Sequence, residues 1–160
     1  MIAAEDVRLR AFAIADTDAV VAVYRDAVRT LGPQAYAPRE VAVWACHPED
    51  PVVFGQQLMT GVTLLAELDG AVAAFAQLQP ADHVHYLYCR GDVARRGLGS
   101  RLLLALEQRA REAGTLRLTT DASRLGRPFF ARHGFAVERT EWVERGGATF
   151  ERFRMVKSLG

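Results

Sequence analysis

The sequence predicts an α/β (α+β) fold in which helices cover both faces of one central sheet. The sheet is mixed and mostly antiparallel, with six or seven strands. Apolar runs joined by short glycine-containing turns indicate hairpins, which need antiparallel pairing. Two strand–helix–strand crossovers require parallel pairing. The chain has 160 residues, half of them hydrophobic, which suits a single domain spanning residues 1–160.

The first third of the chain predicts one strand followed by helices. Asp16 or Thr17 caps the first helix, and Gly32 ends it as a C′ glycine before a proline. Pro38 suits the first turn of the second helix. The predicted elements are a strand over 7–12 and helices over 17–30, 39–45 and 52–59.

The remainder alternates strands with helices. Asp69 and Gly70 predict a type I′ turn between two strands. Glu107 and Arg111 predict a favourable i,i+4 ion pair on the solvent side of the longest helix. The predicted strands are 62–68, 71–78, 84–89, 116–120, 136–144 and 148–156, and the predicted helices are 98–113 and 128–133.

Composition and charge exclude several classes of protein. Twenty basic residues against nineteen acidic ones leave a net charge of +1, which argues against a nucleic-acid partner. No signal peptide and no apolar run of membrane-spanning length is visible. Cys46 and Cys89 are too far apart for a zinc or disulfide pattern, so we expect no metal and a cytoplasmic location.

A basic glycine loop between a strand and a helix is the main chemical signal. Gly97 and Gly99 let the backbone approach an anion, and the helix that follows offers free N–H groups and its positive dipole end. Arg95 and Arg96 add positive charge. The loop therefore predicts a site for a phosphate-bearing cofactor, and the simpler alternative is a glycine turn with solvated arginines. It is neither a Walker loop nor a dinucleotide fingerprint, because it lacks a Lys-Ser or Lys-Thr pair and a third glycine.

The order of elements and two local motifs resemble the GNAT superfamily of acyl-CoA N-acyltransferases. The first motif runs from Leu87 through the glycine loop to Gly99. The second, from Phe129 to Phe135, is similar to the family segment Phe-Tyr-x-x-x-Gly-Phe. The resemblance covers nearly the whole chain.

This resemblance implies acetyl transfer from acetyl-CoA to a primary amine of a small molecule or peptide. It implies a sheet that splays between strands 4 and 5, with pantetheine in the gap and pyrophosphate on the loop amides. Homodimers are frequent in the family, and that state stays open because the sequence has no interface signature. The implied cofactor-binding residues are Leu87, Tyr88, Cys89, Arg95, Arg96, Gly97, Leu98, Gly99, Ser100, Asp121, Ser123 and Phe130.

Two positions depart from the family pattern. Ala94 stands where an Arg or Gln is usual, and Arg95 follows where Gly is common. Phe130 stands where a Tyr commonly acts as general acid. A catalytically silent acyl-CoA-binding module, or a regulatory interaction domain, is therefore the alternative to an enzyme.

His85 is the leading candidate for the general base, because an imidazole is a competent base near neutral pH. His83, two residues earlier on the strand, can relay protons or bind substrate. Strict alternation places Cys89 on the face of His85 and Tyr88 on the other face. Glu67 can reach the amine from a neighbouring strand or face solvent. Each of these residues also has a purely structural alternative.

The next candidates follow the fifth predicted strand and the N-terminal helices. Asp121 and Ser123 either contact pantetheine or cap the next helix. Four aromatic side chains either form a wall for a cationic amine or simply fill the core. They are Tyr24, Tyr36, Trp44 and Phe54.

Overall fold

A computed structural model describes residues 6–160 of the chain. It has the predicted order of elements. The strands are β1 (Val7–Ala11), β2 (Val62–Leu68), β3 (Ala71–Leu78), β4 (His83–Cys89), β5 (Arg117–Ala122), β6 (Ala136–Arg145) and β7 (Ala148–Ser158). The helices are α1 (Thr17–Leu31), α2 (Pro38–Ala45), α3 (Pro51–Leu58), α4 (Leu98–Glu112) and α5 (Gly126–Arg132). No helix within this range is long and apolar enough to cross a membrane.

The seven strands form one sheet in the order β1-β2-β3-β4-β5-β7-β6. All neighbouring pairs are antiparallel except β4 with β5, which are joined by the α4 crossover. The mixed, mostly antiparallel sheet is therefore confirmed. The prediction that both crossovers give parallel pairs is wrong, because β7 inserts between β5 and β6 and pairs antiparallel with each.

The β2–β3 hairpin has the predicted turn. Asp69 and Gly70 have φ values of 53° and 81°, as a type I′ turn requires. The two strands pair from Leu68 with Ala71 to Val62 with Leu78. β4 then pairs with the β3 strand of this hairpin.

Two apolar clusters cover the two faces of the sheet. One lies under α4 and α5 and includes the fully buried Leu102 and Leu106. The other lies under α1, α2 and α3 and includes Phe54 and Phe75. Because α4 forms the crossover between the parallel strands β4 and β5, its N-terminus lies at the edge of the sheet where β4 ends.

The end of α1 differs from the prediction. Gly32 has φ −52° and ψ −41°, which is right-handed rather than the left-handed C′ conformation. A Cβ at Gly32 would lie 3.1 Å from Cγ2 of Val41 in α2. The glycine is therefore needed for the close approach of two helices and not for backbone reversal.

The environment of Glu107 also differs from the prediction. Its side chain is 1% exposed rather than on the solvent side of α4. Oε1 accepts a hydrogen bond of 2.8 Å from Nζ of Lys157 on β7, and Arg111 lies 3.8 Å from Oε2. The helical i,i+4 spacing was right, but the sheet supplies the main partner.

Candidate functional site

The sheet opens between β4 and β5. These strands pair only at His83 with Thr119 and at Val84 with Thr120. Beyond that point β5 continues to pair with β7 as far as Ala122, while β4 continues along β3. The edge of β4 that faces the opening has no strand partner beyond Val84 within residues 6–160, so its backbone groups can bind a ligand.

A bulge in β4 lies at the start of this opening. Gln77 pairs with Tyr86, but Leu78 pairs with Val84, so His85 is an extra residue on the β4 side. A bulge resets the alternation of side chains between the two faces. This explains why Cys89 packs with the α4 cluster, whereas His85 lies near groups on the other face.

His85 is exposed at the mouth of the opening. Its ring lies 4.4 Å from the Tyr86 ring and 6.1 Å from the His83 ring, between centroids. Partial burial lowers the pKa of His85, and the Asp121 carboxylate opposes this effect. A lowered pKa leaves the imidazole neutral at pH 7, which is the form that accepts a proton.

His83 is held more tightly than His85. Its Nδ1 shares a hydrogen bond of 2.7 Å with Oγ1 of Thr119. Its Nε2 lies 3.6 Å from Oδ2 of Asp121, and burial lowers the pKa of His83. Both ring nitrogens thus have protein partners, and His83 lies beside His85 without a direct hydrogen bond to it.

Asp121 lies inside β5 rather than after it, so it does not cap α5. Its Oδ1 accepts a hydrogen bond of 3.1 Å from Arg154, and Nε of Arg152 lies 4.0 Å away. Ser123 does support the next turn, because its Oγ accepts a hydrogen bond of 3.1 Å from the Gly126 N–H. The contact of Ser123 is thus the kind expected of a residue that caps the next helix, which is one of its two predicted roles.

The glycine loop has the backbone geometry of an anion cradle. Gly97 is the N-cap of α4 with φ 93°, and no side chain caps the helix. The first intrahelical hydrogen bond runs from the Arg101 N–H to the Gly97 carbonyl. The amides of residues 98–100 therefore have no carbonyl partner within α4. A Cβ at Gly97 would meet nothing within 4 Å, and this open side can admit an anion.

The side chains of the loop are partly engaged. Arg95 has φ 63°, and its guanidinium donates to Oε1 of Gln34 at 3.2 Å. Ser100 Oγ shares a hydrogen bond of 2.9 Å with Nε2 of His133. Arg96 is exposed and Leu98 is buried. The two arginines can therefore add charge, while Ser100 is oriented by His133, which directly follows α5.

The side chain of Cys89 packs against the α4 cluster, next to the loop. Burial raises the pKa of its thiol to about 11, opposed by a hydrogen bond from the Gly99 amide. A Cβ at Gly99 would lie 3.3 Å from Leu87 and 3.4 Å from the Phe129 ring. Close packing of the loop on β4 therefore requires glycine here, and Cys89 is a core thiol rather than a nucleophile.

The family tyrosine position and Tyr88 are both in apolar surroundings. Phe130 is buried, and its ring centroid lies 5.2 Å from that of Phe135. Tyr88 packs on the opposite face, with its ring 4.6 Å from that of Tyr24. Burial raises the pKa of Tyr88. Neither position presents an acidic hydroxyl in the place where the family tyrosine stands.

Glu67 does not join the histidines. It pairs with Val72 near the hairpin turn, whereas His85 lies at the opposite end of β3 near Leu78. Its Oε1 accepts a hydrogen bond of 2.8 Å from Nε of Arg10. Glu67 therefore contributes to the β1–β2 edge of the sheet.

The N-terminal aromatic residues pack mainly as core. Tyr24, Tyr36 and Phe54 are buried, and Trp44 is half-buried. The Tyr36 hydroxyl reaches across to accept a hydrogen bond of 3.0 Å from the Arg124 N–H, which follows β5. The connection between α1 and α2 thus contacts the β5 side of the opening as well as the loop.

Sequence reasoning missed several residues of this region. His47 shares a hydrogen bond of 3.1 Å with the Tyr86 hydroxyl, and the Arg124 guanidinium lies 5.4 Å from the Tyr36 ring centroid. The alternation of Arg152 and Arg154 along β7 was a signal that these side chains share one face. Nothing in the sequence pointed to His47, because only folding brings it beside β4. No group of three metal-ligating side chains occurs in the described part, residues 6–160.

Comparisons with known proteins identify what the chain is similar to. Residues 34–158 match a family model described as an acetyltransferase (GNAT) domain. The chain is 27% identical over 150 residues to the uncharacterized N-acetyltransferase YafP of Escherichia coli strain K12, over 94% of this chain and 95% of that protein. A GCN5-related N-acetyltransferase (aminotransferase, class-II) from Rhodopseudomonas palustris is 30% identical, with a TM-score of 0.93 over 99% of each chain. The PaiA N-acetyltransferase of Thermoplasma acidophilum, solved with coenzyme A, shares the fold at 20% identity, with a TM-score of 0.79 over 95% of this chain and 98% of that one.

Proposed function

Because this chain belongs to the GNAT family of acetyltransferases, we propose that it transfers an acetyl group from acetyl-CoA to a primary amine. The acceptor is a small molecule or a peptide, and the amine attacks the thioester directly. The observation that carries the proposal is the opening between β4 and β5, which leads to an uncapped helix N-terminus. A free strand edge fits an amide-containing arm, and the helix end fits a pyrophosphate.

The residues around the opening fit coenzyme A. We assign the pantetheine arm to the free edge of β4 at Leu87 and Cys89. We assign the pyrophosphate to the amides of Gly97, Leu98 and Ser100, since the Gly99 amide bonds to Cys89. Gly97 leaves room for the anion, and Gly99 lets the loop lie close on β4. Arg95 and Arg96 supply the positive charge that a diphosphate attracts.

The reaction needs a base more than it needs an acid. A free alkylamine has a pKa near ~10.4, so releasing its lone pair at pH 7 costs roughly 4–5 kcal/mol. We assign this task to His85, whose lowered pKa leaves it neutral. His85 takes one proton from the substrate ammonium, and the freed amine nitrogen then bonds to the thioester carbonyl carbon. The C–S bond breaks, and the departing thiolate takes the second proton that the nitrogen loses as the amide forms.

Two further parts of the chemistry follow from the same surroundings. A backbone N–H at the free edge of β4 is our candidate donor to the oxyanion of the tetrahedral intermediate. Coenzyme A leaves as a thiolate, and a thiol of pKa about 8.5 is a far better leaving group than an amine. Phe130 in place of tyrosine is therefore compatible with turnover.

The first experiment measures the release of free coenzyme A from acetyl-CoA across a panel of primary amines. Release that depends on both the amine and the enzyme supports the proposal. Tight binding of acetyl-CoA without release on any amine favours the silent binding module, for which Phe130 is the main support. Absence of a thermal shift with millimolar coenzyme A argues for an interaction domain, since a ligand that binds only the folded state must stabilise it.

The second experiment tests His85 with the matched variant His85→Gln. We expect kcat/KM at pH 7 to fall about 10²-fold, the lower end of the usual contribution of a general base. The deficit should shrink as pH approaches the pKa of the amine, because the amine then loses its proton without help. An equal loss at every pH would contradict the base assignment.

We also propose that the reaction takes place in the cytoplasm. Both Cys46 and Cys89 are free thiols, and this supports a reducing compartment. Fractionation of cells expressing the tagged chain tests this, and recovery outside the soluble cytoplasmic fraction would overturn it.

A further inference from the structure

Asp121 occupies a distinctive place at the mouth of the opening. It is the first residue of β5 beyond the last pair that β5 makes with β4, Val84 with Thr120. Thr120 and Ala122 are buried, and Ala122 belongs to the α4 cluster, so the side chain of Asp121 between them faces the side of His83. The carboxylate is therefore on the β5 wall, opposite the bulge that carries His85.

The partners of Asp121 hold its carboxylate in one orientation. Arg154 donates to Oδ1 at 3.1 Å, and Arg152 lies 4.0 Å from the same oxygen. Oδ2 lies 3.6 Å from Nε2 of His83, whose other nitrogen bonds to Thr119. Contacts on both oxygens therefore hold the carboxylate in one orientation beside His83.

Other groups around His85 lack a negative charge. His83 and Tyr86 are its ring neighbours on β4, and His47 faces it from the segment between α2 and α3. Asp121 raises the pKa of His85 against the effect of burial, and His85 in turn lowers the pKa values of His83 and His47. The remaining charged groups, Arg152 and Arg154 on β7, act on Asp121 itself.

We propose that Asp121 is a positioning residue that stabilises the imidazolium of His85 while that histidine holds the proton of the acceptor amine. The inference rests on the proposed function, because it presupposes that His85 is the base. In the step concerned, the amine proton moves to His85, and the Asp121 side chain stabilises the positive charge that forms on the ring. A fixed anion beside a developing cation lowers the free energy of the charged state.

This role differs from the two that Asp121 can have otherwise. A contact to pantetheine would make its loss raise the KM for acetyl-CoA. A contact to the acceptor ammonium would make its loss raise the KM for the amine. Loss of a residue that stabilises the His85 imidazolium changes kcat and the pH dependence of activity. It leaves the KM for acetyl-CoA and the KM for the amine unchanged.

The direct test is a titration of the His85 ring by NMR in the free protein. The ring signals are assigned with His85→Gln, and the variant is Asp121→Asn, which keeps the shape and removes the charge. We expect the midpoint of the His85 titration to move to lower pH. The matched control is Glu138→Gln, which removes an exposed carboxylate of β6 that pairs with Arg117, and it should leave the midpoint in place.

The kinetic test uses the same three variants, Asp121→Asn, Glu138→Gln and His85→Gln. Asp121→Asn should move the acid limb of kcat/KM to lower pH and reduce kcat about 3- to 10-fold, because a weaker base transfers protons less well. The proposal would be overturned if the midpoint of the His85 titration stayed in place. It would also be overturned if KM rose while the acid limb of the kcat/KM profile stayed in place. If the midpoint moves but His85→Gln retains full activity, the base assignment itself fails, so the two failures are distinguishable.

Discussion

Lys157→Met is expected to destabilise this protein more than any surface substitution of comparable size. Glu107 is 1% exposed, and its principal partner is Lys157 Nζ at 2.8 Å. Methionine keeps the aliphatic stem but removes the ammonium group. The variant therefore leaves a buried carboxylate without the cation that compensates its desolvation.

The magnitude follows from what remains around Glu107. Removing one partner of a buried ion pair costs about 3–5 kcal/mol. Arg111 lies 3.8 Å from Oε2, an oxygen that has no hydrogen-bond partner, so it can take over part of the interaction. We therefore expect the lower end, about 3 kcal/mol, which corresponds to a fall in Tm of about 6–12 °C for a chain of this length.

The reverse change, Glu107→Gln, should be milder. The Lys157 side chain is 20% exposed and can turn its ammonium group toward water. The amide keeps the volume and one hydrogen-bond acceptor, so we expect a loss of about 1–2 kcal/mol. The double variant should lose less than the sum of the two single losses, because the partners act as one unit.

Urea unfolding, followed by circular dichroism on the two single variants and the double variant, measures these free energies. The order of the two single variants is the critical result. If Glu107→Gln costs as much as Lys157→Met or more, or if the two losses simply add, the pair does not stabilise the fold in the way its burial implies.

The remaining predictions concern three glycine and loop positions. Gly97→Glu should abolish coenzyme A binding measured by calorimetry, whereas Gly97→Ala, which tests only the strain of φ 93°, should weaken it modestly; equal effects would contradict an anion at this place. Arg95→Gly should raise the free energy of unfolding by about 1 kcal/mol, because it relieves a left-handed arginine at φ 63°. The same variant should bind coenzyme A more weakly, and an unchanged affinity for coenzyme A would show that Arg95 is not part of the site. Gly61→Ala should cost about 2 kcal/mol in urea unfolding, because φ is 66° and the new Cβ would collide with the Leu78 carbonyl oxygen; a neutral result would refute that backbone clash.

Much of the fold could be predicted because local patterns decide it. The Asp69–Gly70 turn sets a hairpin whatever surrounds it, and the apolar spacing of the long helix matches α4 as observed. The second crossover could not be predicted in this way. Whether β7 inserts beside β5 depends on side-chain packing between distant segments, and no local period records it.

The candidate site, like the fold, could be predicted from the sequence only in part. The glycine loop was visible because Gly97 and Gly99 stand at a strand–helix junction. The face of Cys89 relative to His85 was wrong, because one bulge residue in β4 reverses the alternation and leaves no mark in the apolar pattern. The setting of Asp121 was also missed, since its partners come from β4 and β7.

Taken alone, the amino-acid sequence determined the family, the order of elements and the glycine loop before α4, because each depends on residues close together along the chain. Tertiary structure decided that β4 and β5 separate after Val84, that Glu107 is buried against Lys157, and that Asp121 faces the histidines. Those features arise from contacts between segments far apart in sequence, and such contacts are chosen by packing and charge compensation in three dimensions.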